Sequence, residues 1–287
     1  MIRFNTLLAF VATIFISCVS FAQNNSLAYQ ISSPNTKTAI LFGTIHAIPD
    51  SLYFFPKKLE KLVSKSELVV MEIENVQDKT KAQSLLKLNN GTSCFDIFNP
   101  SQKDSVINWG AKILGITPEQ FVASFKNQKP FVLLQLTMLD LMKGNVKMYE
   151  TEIAAMANKN AIPIGGLETM EFQLSIFNNM NDEHLAKMIL ETIRDTESSK
   201  KVYNHMVQLY TKFQIDELAK LINESSDLGS YSAQLVDNRN EDWIPKMEKL
   251  MHEKACFFAV GAGHLGGENG VISLLKEKGY SVTPIKL

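Results

Sequence analysis

Two stretches of this 287-residue chain share one pattern, an apolar run followed by a glycine, two residues and a histidine: Ala39-Ile40-Leu41-Phe42-Gly43-Thr44-Ile45-His46 and Phe257-Phe258-Ala259-Val260-Gly261-Ala262-Gly263-His264. With 14 glycines and 5 histidines in 287 positions, chance supplies 14 × 5/287, or about 0.24, such Gly-x-x-His sequences, yet two occur. Glu72 and Glu168 close two further apolar runs. Two imidazoles and two carboxylates suit a divalent ion such as zinc, manganese or iron, with an open position for a water nucleophile. His46, Glu72, Glu168 and His264 are therefore the candidate metal ligands. The same set suits chemistry without metal, one histidine taking a proton from water while a glutamate orients it. The first glycine of each motif lets the backbone bend at the strand end, and Gly263, Gly266 and Gly267 could offer amides to an oxyanion. Arg239 either clamps a substrate carboxylate bidentately or is a solvated structural residue.

These groups share chemistry only if the fold brings them together, and open α/β sheets bind ligands beyond the carboxyl ends of their strands. Residues 27–32 and 38–42 flank the turn Ser33-Pro34-Asn35, predicting a β-hairpin whose second strand runs into His46. A short helix over 57–64 and the run 68–74 follow, the strand-helix-strand order of a parallel crossover. Residues 101–159 read as helical, with a capping box at Thr117-Pro118-Glu119-Gln120 and an apolar helix over 131–142 too short to span a membrane. A buried strand is expected over 161–168, an inserted helical lobe over about 170–250, a strand over 254–261, and a closing helix and strand over 271–278 and 281–285. The expected fold is α/β, a mixed central sheet with flanking helices and that inserted lobe. His184, His205 and His252, in charge-rich helical surroundings, are expected at the surface.

Composition narrows the class. A chain 45% hydrophobic and 21% charged suits one large globular domain or two tightly joined lobes, and a net charge of -1 offers no basic excess for nucleic acid or an anionic membrane. Residues 1–22 read as a signal peptide, with Arg3 as the positive start, Leu7 to Ile16 as the apolar core and Ser20-Phe21-Ala22 as the cleavage site. The α/β domain then covers 23–287, exported to the periplasm or secreted, with lipid attachment at Cys18 as the lesser alternative. No membrane span is expected after cleavage. Cys94 and Cys256 show neither disulfide-framework nor zinc-cluster spacing.

The same residues resemble the TraB/GumN family, also called the TraB/PrgY/GumN or TIKI-like family. The matching stretches are Leu41 to His46, Val69-Val70-Met71-Glu72-Ile73, Gly166-Leu167-Glu168-Thr169 with Gln173, Asn238-Arg239-Asn240, and Val260 to Leu265. They run nearly the length of the mature chain in the family's order. The resemblance implies a fold similar to erythromycin esterases and the haem-binding ChaN proteins, and a metal-dependent protease activity preferring manganese or cobalt. It places His46, Glu72 and His264 in the active site, with Glu168 and Arg239 matching less closely. The family pattern has an aspartate ahead of the helix before the third of these strands, where this chain has Glu150.

The expected function is a metal-dependent, peptidase-like hydrolase acting on a peptide or other acyl substrate outside the cytoplasm. The metal would be manganese, cobalt or zinc, and His46, Glu72, Glu168, His264 and Arg239 would be catalytic. Two alternatives stay open: a non-catalytic haem- or peptide-binding protein using the same cleft, and a metal-free esterase. The chain lacks the His-Glu-x-x-His sequence of many zinc proteases.

Overall fold

A computed structural model describes residues 26–74, 79–88, 91–142, 144–225 and 231–287, so the expected signal peptide lies outside the described residues. Among the described residues eight strands form two sheets: β1 (Ala28–Ser32), β2 (Ala39–Thr44), β3 (Ala47–Pro49), β4 (Leu68–Ile73), β5 (Val146–Met148), β6 (Ile164–Glu168), β7 (Cys256–Gly261) and β8 (Ser281–Pro284). The main sheet has the order β6-β4-β7-β2-β1-β8. Its first four strands run parallel, while β1 runs antiparallel to both β2 and β8. The fold is therefore α/β with a mixed central sheet and flanking helices.

Every residue of β2 is buried, and so are the first five of β4 and of β7. Continuous apolar runs of this kind belong to strands covered on both faces. The hairpin, the helix Lys57–Ser64 and the strand after it form as the sequence predicts. β7 lies between β2 and β4, so the crossover skips a position that the chain fills only near its end.

The helices divide between two cores. The sheet core takes in Val207, Tyr210, Leu218, Trp243 and Met247 from the helices Thr196–Thr211, Ile215–Asn223 and Asp237–Glu253. A second core joins Phe95, Val106, Phe121 and Leu133 to Leu185 and Ile189 from the helix Asp182–Arg194. The helical lobe is thus built mainly from residues 94–136 and 180–193, and the later part of the 170–250 stretch covers the sheet instead. Helical periodicity marks an apolar face but not the surface it will meet. Cys94 belongs to the second core and Cys256 to the first, both buried with free thiols. No helix among the described residues is long and apolar enough to cross a membrane.

Candidate active site

The four parallel strands end level. Thr44 pairs with Gly261 across β2 and β7, Met71 with Ala259 across β4 and β7, and Ile73 with Glu168 across β4 and β6. Glu72, Glu168 and the turn Ala262–His264 after β7 therefore share one edge, the place where open α/β sheets build sites. The helix Asp237–Glu253 crosses this edge with Arg239, Asn240 and Trp243 buried on one face, at the i, i+1 and i+4 spacing of a helical stripe.

Arg239 organises the cluster. Its Nε donates to Glu168 Oε2 at 3.1 Å, and Nη2 donates to Glu168 Oε1 and Glu72 Oε2, each at 2.6 Å. Nη1 donates to the Leu235 carbonyl at 2.8 Å and to His264 Nε2 at 3.2 Å. A guanidinium carries five N–H bonds, and all five are used. Glu168 also accepts from Trp243 Nε1 at 3.1 Å and from Gln173 Nε2 at 3.1 Å, while Gln173 reaches Glu72 Oε2 at 3.2 Å. The Gly261 amide donates to Glu72 Oε1 at 2.7 Å. Glu72, Glu168, Arg239 and His264 are only 7, 6, 6 and 7% exposed, so these contacts lie in a largely water-free setting.

The tautomer of His264 follows from its neighbours. Arginine can only donate, so Nε2 accepts and Nδ1 carries the hydrogen, donating to Asn240 Oδ1 at 2.7 Å. The Asn240 amide is turned that way because its Nδ2 donates to the Asn269 carbonyl at 2.8 Å. Burial lowers the His264 pKa to about 3 and overcomes the opposing pull of Glu72. Burial alone would raise the Glu72 carboxyl, but the charges of His264, Arg239 and His46 and the Gly261 amide hold it well below its ordinary range.

Gly43 and Gly261 keep ordinary strand backbones, and close approach rather than bending accounts for both. A β-carbon on Gly43 would sit 3.0 Å from Leu265 and 3.1 Å from Ala262, and one on Gly261 would sit 3.2 Å from Glu72 Oε1. Of the expected oxyanion amides, that of Gly267 is committed to Asp216 Oδ1 at 3.1 Å.

His46 stands apart from this network. Its side chain is 65% exposed, and its Nδ1 lies 2.9 Å from Glu150 Oε1, which also accepts from Thr44 Oγ1 at 3.1 Å. The small sheet of β3 and β5 makes the contact, pairing Ala47 with Met148 so that Glu150 follows two residues on. Partial desolvation by the surrounding protein acts to lower the imidazole pKa, yet the Glu150 hydrogen bond and charge, helped by Glu72, raise it to about 9. Among the described residues Nε2 makes no hydrogen bond, which leaves it open to solvent.

The TraB/PrgY/gumN family matches this chain over residues 27–284. The chain belongs to that family. Curated relatives include metalloprotease TIKI1 of Danio rerio, 23% identical over 84% of this chain and 60% of its own length. TIKI1 of Xenopus tropicalis is 23% identical over 91% of the chain and 62% of its own length, and the TIKI homolog of Amphimedon queenslandica 22% over 94% and 63%. The chain spans about three fifths of the length of these relatives. No solved structure matches it.

The relatives' names imply a metal, and the donor set tests that implication. Both Glu168 oxygens and Glu72 Oε2 each accept two hydrogen bonds, Glu72 Oε1 accepts the Gly261 amide, and the His264 Nε2 lone pair faces Arg239. Among the described residues no three His, Cys, Asp or Glu side chains are grouped to hold an ion. The four expected ligands do not fit a divalent cation in this arrangement, because the guanidinium already takes the space and charge between the carboxylates. Arg239 is likewise neither solvated nor free to clamp a substrate.

Of the expected residues the structure brings Glu72, Glu168, Arg239 and His264 together, whereas the sequence marks Asn240 and Glu150 only as positions in the family pattern and gives Trp243 no role. Asn240 and Trp243 were legible as the stripe they share with Arg239, and Glu150 as the carboxylate just after a short extended segment. Of the remaining histidines, His205 and His252 are exposed. His184 is half-buried, packs on Tyr231 at 5.0 Å, and keeps Nε2 buried without a partner among the described residues.

Proposed function

We propose that the chain is a peptidase-like hydrolase in which His46, held by Glu150, moves the proton of an attacking water. The observation that carries this reading is the 2.9 Å contact between His46 Nδ1 and Glu150, which leaves Nε2 of an exposed ring without a hydrogen bond among the described residues. In the base form Nε2 takes a proton from water, the oxygen adds to the acyl carbon, and the proton passes to the leaving group as the acyl bond breaks. Glu150 fixes the ring and stabilises the imidazolium formed on the way. The cluster under Arg239 supplies a rigid floor, since its hydrogen bonds leave few ways to rearrange. The names of the TIKI relatives support a peptide as the acyl substrate.

Because Glu150 raises the His46 pKa, the base form gathers on the alkaline side of neutrality. Hydrolysis of a mixed peptide library, followed by mass spectrometry between about pH 6 and 10, tests the proposal. Cleavage should disappear in His46→Ala and persist in His205→Ala, an exposed control. A folded wild type that cleaves nothing across that range would sink it.

Two finer readings belong to the same proposal. The working compartment is outside the cytoplasm, supported by Arg3, the apolar residues 7–16 and Ser20-Phe21-Ala22. The likeness to the erythromycin esterase and ChaN fold is supported by a parallel four-strand block whose ends carry the functional groups.

A further inference from the structure

We propose that Arg239 is the resident cation of this site: its guanidinium stands between Glu72 and Glu168 where a divalent ion shared by those carboxylates would stand, and it makes such an ion unnecessary to the fold. Three observations carry the inference. The two carboxylates come from neighbouring strands, and Nη2 bridges them with 2.6 Å contacts to both. All five N–H groups of Arg239 have acceptors inside the cluster, so the residue is spent on holding the site rather than on reaching outward. Trp243 lies against the guanidinium with its ring centroid 4.8 Å from Cζ while donating to Glu168, a packing that fits a planar cation.

The physical reason is charge. Two buried carboxylates cannot both stay ionised without a positive partner, and either a metal or a guanidinium can serve. Arginine keeps its charge over the whole working range and binds planar carboxylates through a fork. An ion added beside it would have to displace hydrogen bonds at 2.6 Å and face a like charge. His264 is drawn into the same arrangement, because its accepting Nε2 is satisfied by Nη1.

The inference does not depend on the chain being a hydrolase, and metal binding and folding read it directly. Full-length wild type and Arg239→Met, which keeps much of the packing volume and loses the charge, are each titrated with Mn2+ and with Zn2+ by calorimetry and thermal melting. Wild type should bind no ion that depends on Glu72, and its Tm should not move. Arg239→Met should bind one ion per chain with a rise in Tm, and both should vanish in Arg239→Met/Glu72→Gln. Wild type carrying one ion that is lost in Glu72→Gln would overturn the proposal. So would a folded Arg239→Met, checked by circular dichroism, that gains no ion. Should Arg239→Met not fold, metal content of wild type and Glu72→Gln by elemental analysis decides alone: equal and substoichiometric content supports the proposal, and a Glu72-dependent ion refutes it.

Discussion

His46 Nδ1 lies 2.9 Å from Glu150 Oε1, although 104 residues separate the two in the chain. A pair of three-residue strands brings them together, with the Tyr149 amide donating to the His46 carbonyl at 3.3 Å as a further tie. Glu150→Gln keeps the shape and removes the charge. The His46 pKa should then fall from about 9 toward its ordinary 6.5, read from the imidazole proton shifts in an NMR titration. The alkaline limb of any hydrolysis should move to lower pH with it. An unchanged titration would show that Glu150 does not set the charge of His46.

The candidate site residues are easier to read in the sequence than their partners. Glycine, histidine and glutamate at the ends of apolar strands are visible because a strand carries its periodicity in a few consecutive residues. β3 and β5 escaped notice because three residues hold too little pattern, and their pairing joins segments about 100 residues apart. The role of Arg239 was hidden for another reason. Sequence gives its type, whereas the count of its acceptors depends on Leu235, Glu168, Glu72 and His264 meeting in space. The sequence marks the stretch of about 170–250 as helical, but only tertiary contacts assign its later helices to the sheet core.

Asn240 is placed to fix the His264 tautomer, since its amide accepts from Nδ1 and donates to the Asn269 carbonyl. Asn240→Ala would leave a buried imidazole N–H without its partner. A loss of about 1–3 kcal/mol is expected from such an orphaned group, measured as a lower urea midpoint with an unchanged m-value. Histidine NMR should still show Nδ1 protonated and Nε2 accepting, because Arg239 can only donate to Nε2. A variant as stable as wild type would mean that water replaces the amide fully.

Gly261→Ala places a methyl group 3.2 Å from Glu72 Oε1 and 3.4 Å from His264 Cδ2. Neither neighbour can yield without disturbing the Arg239 network, so overpacking should cost about 1–3 kcal/mol. Activity should fall with stability, because the Gly261 amide that holds Glu72 at 2.7 Å moves with the strand. Thermal melting and peptide cleavage of the same preparation check both effects.

The buried neutral His264 also predicts how stability responds to acid. Its pKa is about 3 in the folded protein against an ordinary 6.5, so between these values the unfolded chain binds a proton that the folded chain refuses. Stability therefore rises with pH in this window, and it is lost as pH falls below 6.5 with a slope approaching about 1.4 kcal/mol per pH unit. Glu72 acts in the same sense but only below its ordinary 4.5, because its folded pKa is depressed. His46, with its pKa raised, contributes stability that is present below 6.5 and lost as pH rises toward 9, outside the acid window. Only the middle of the interval between 4.5 and 6.5, away from both edges, is dominated by His264 among these three groups. His264→Gln, which has no titrating group, should flatten the stability curve there, measured by urea unfolding at half-unit steps. If the slope survives the substitution unchanged, His264 is not held neutral in the folded protein and the tautomer drawn from Arg239 and Asn240 is wrong.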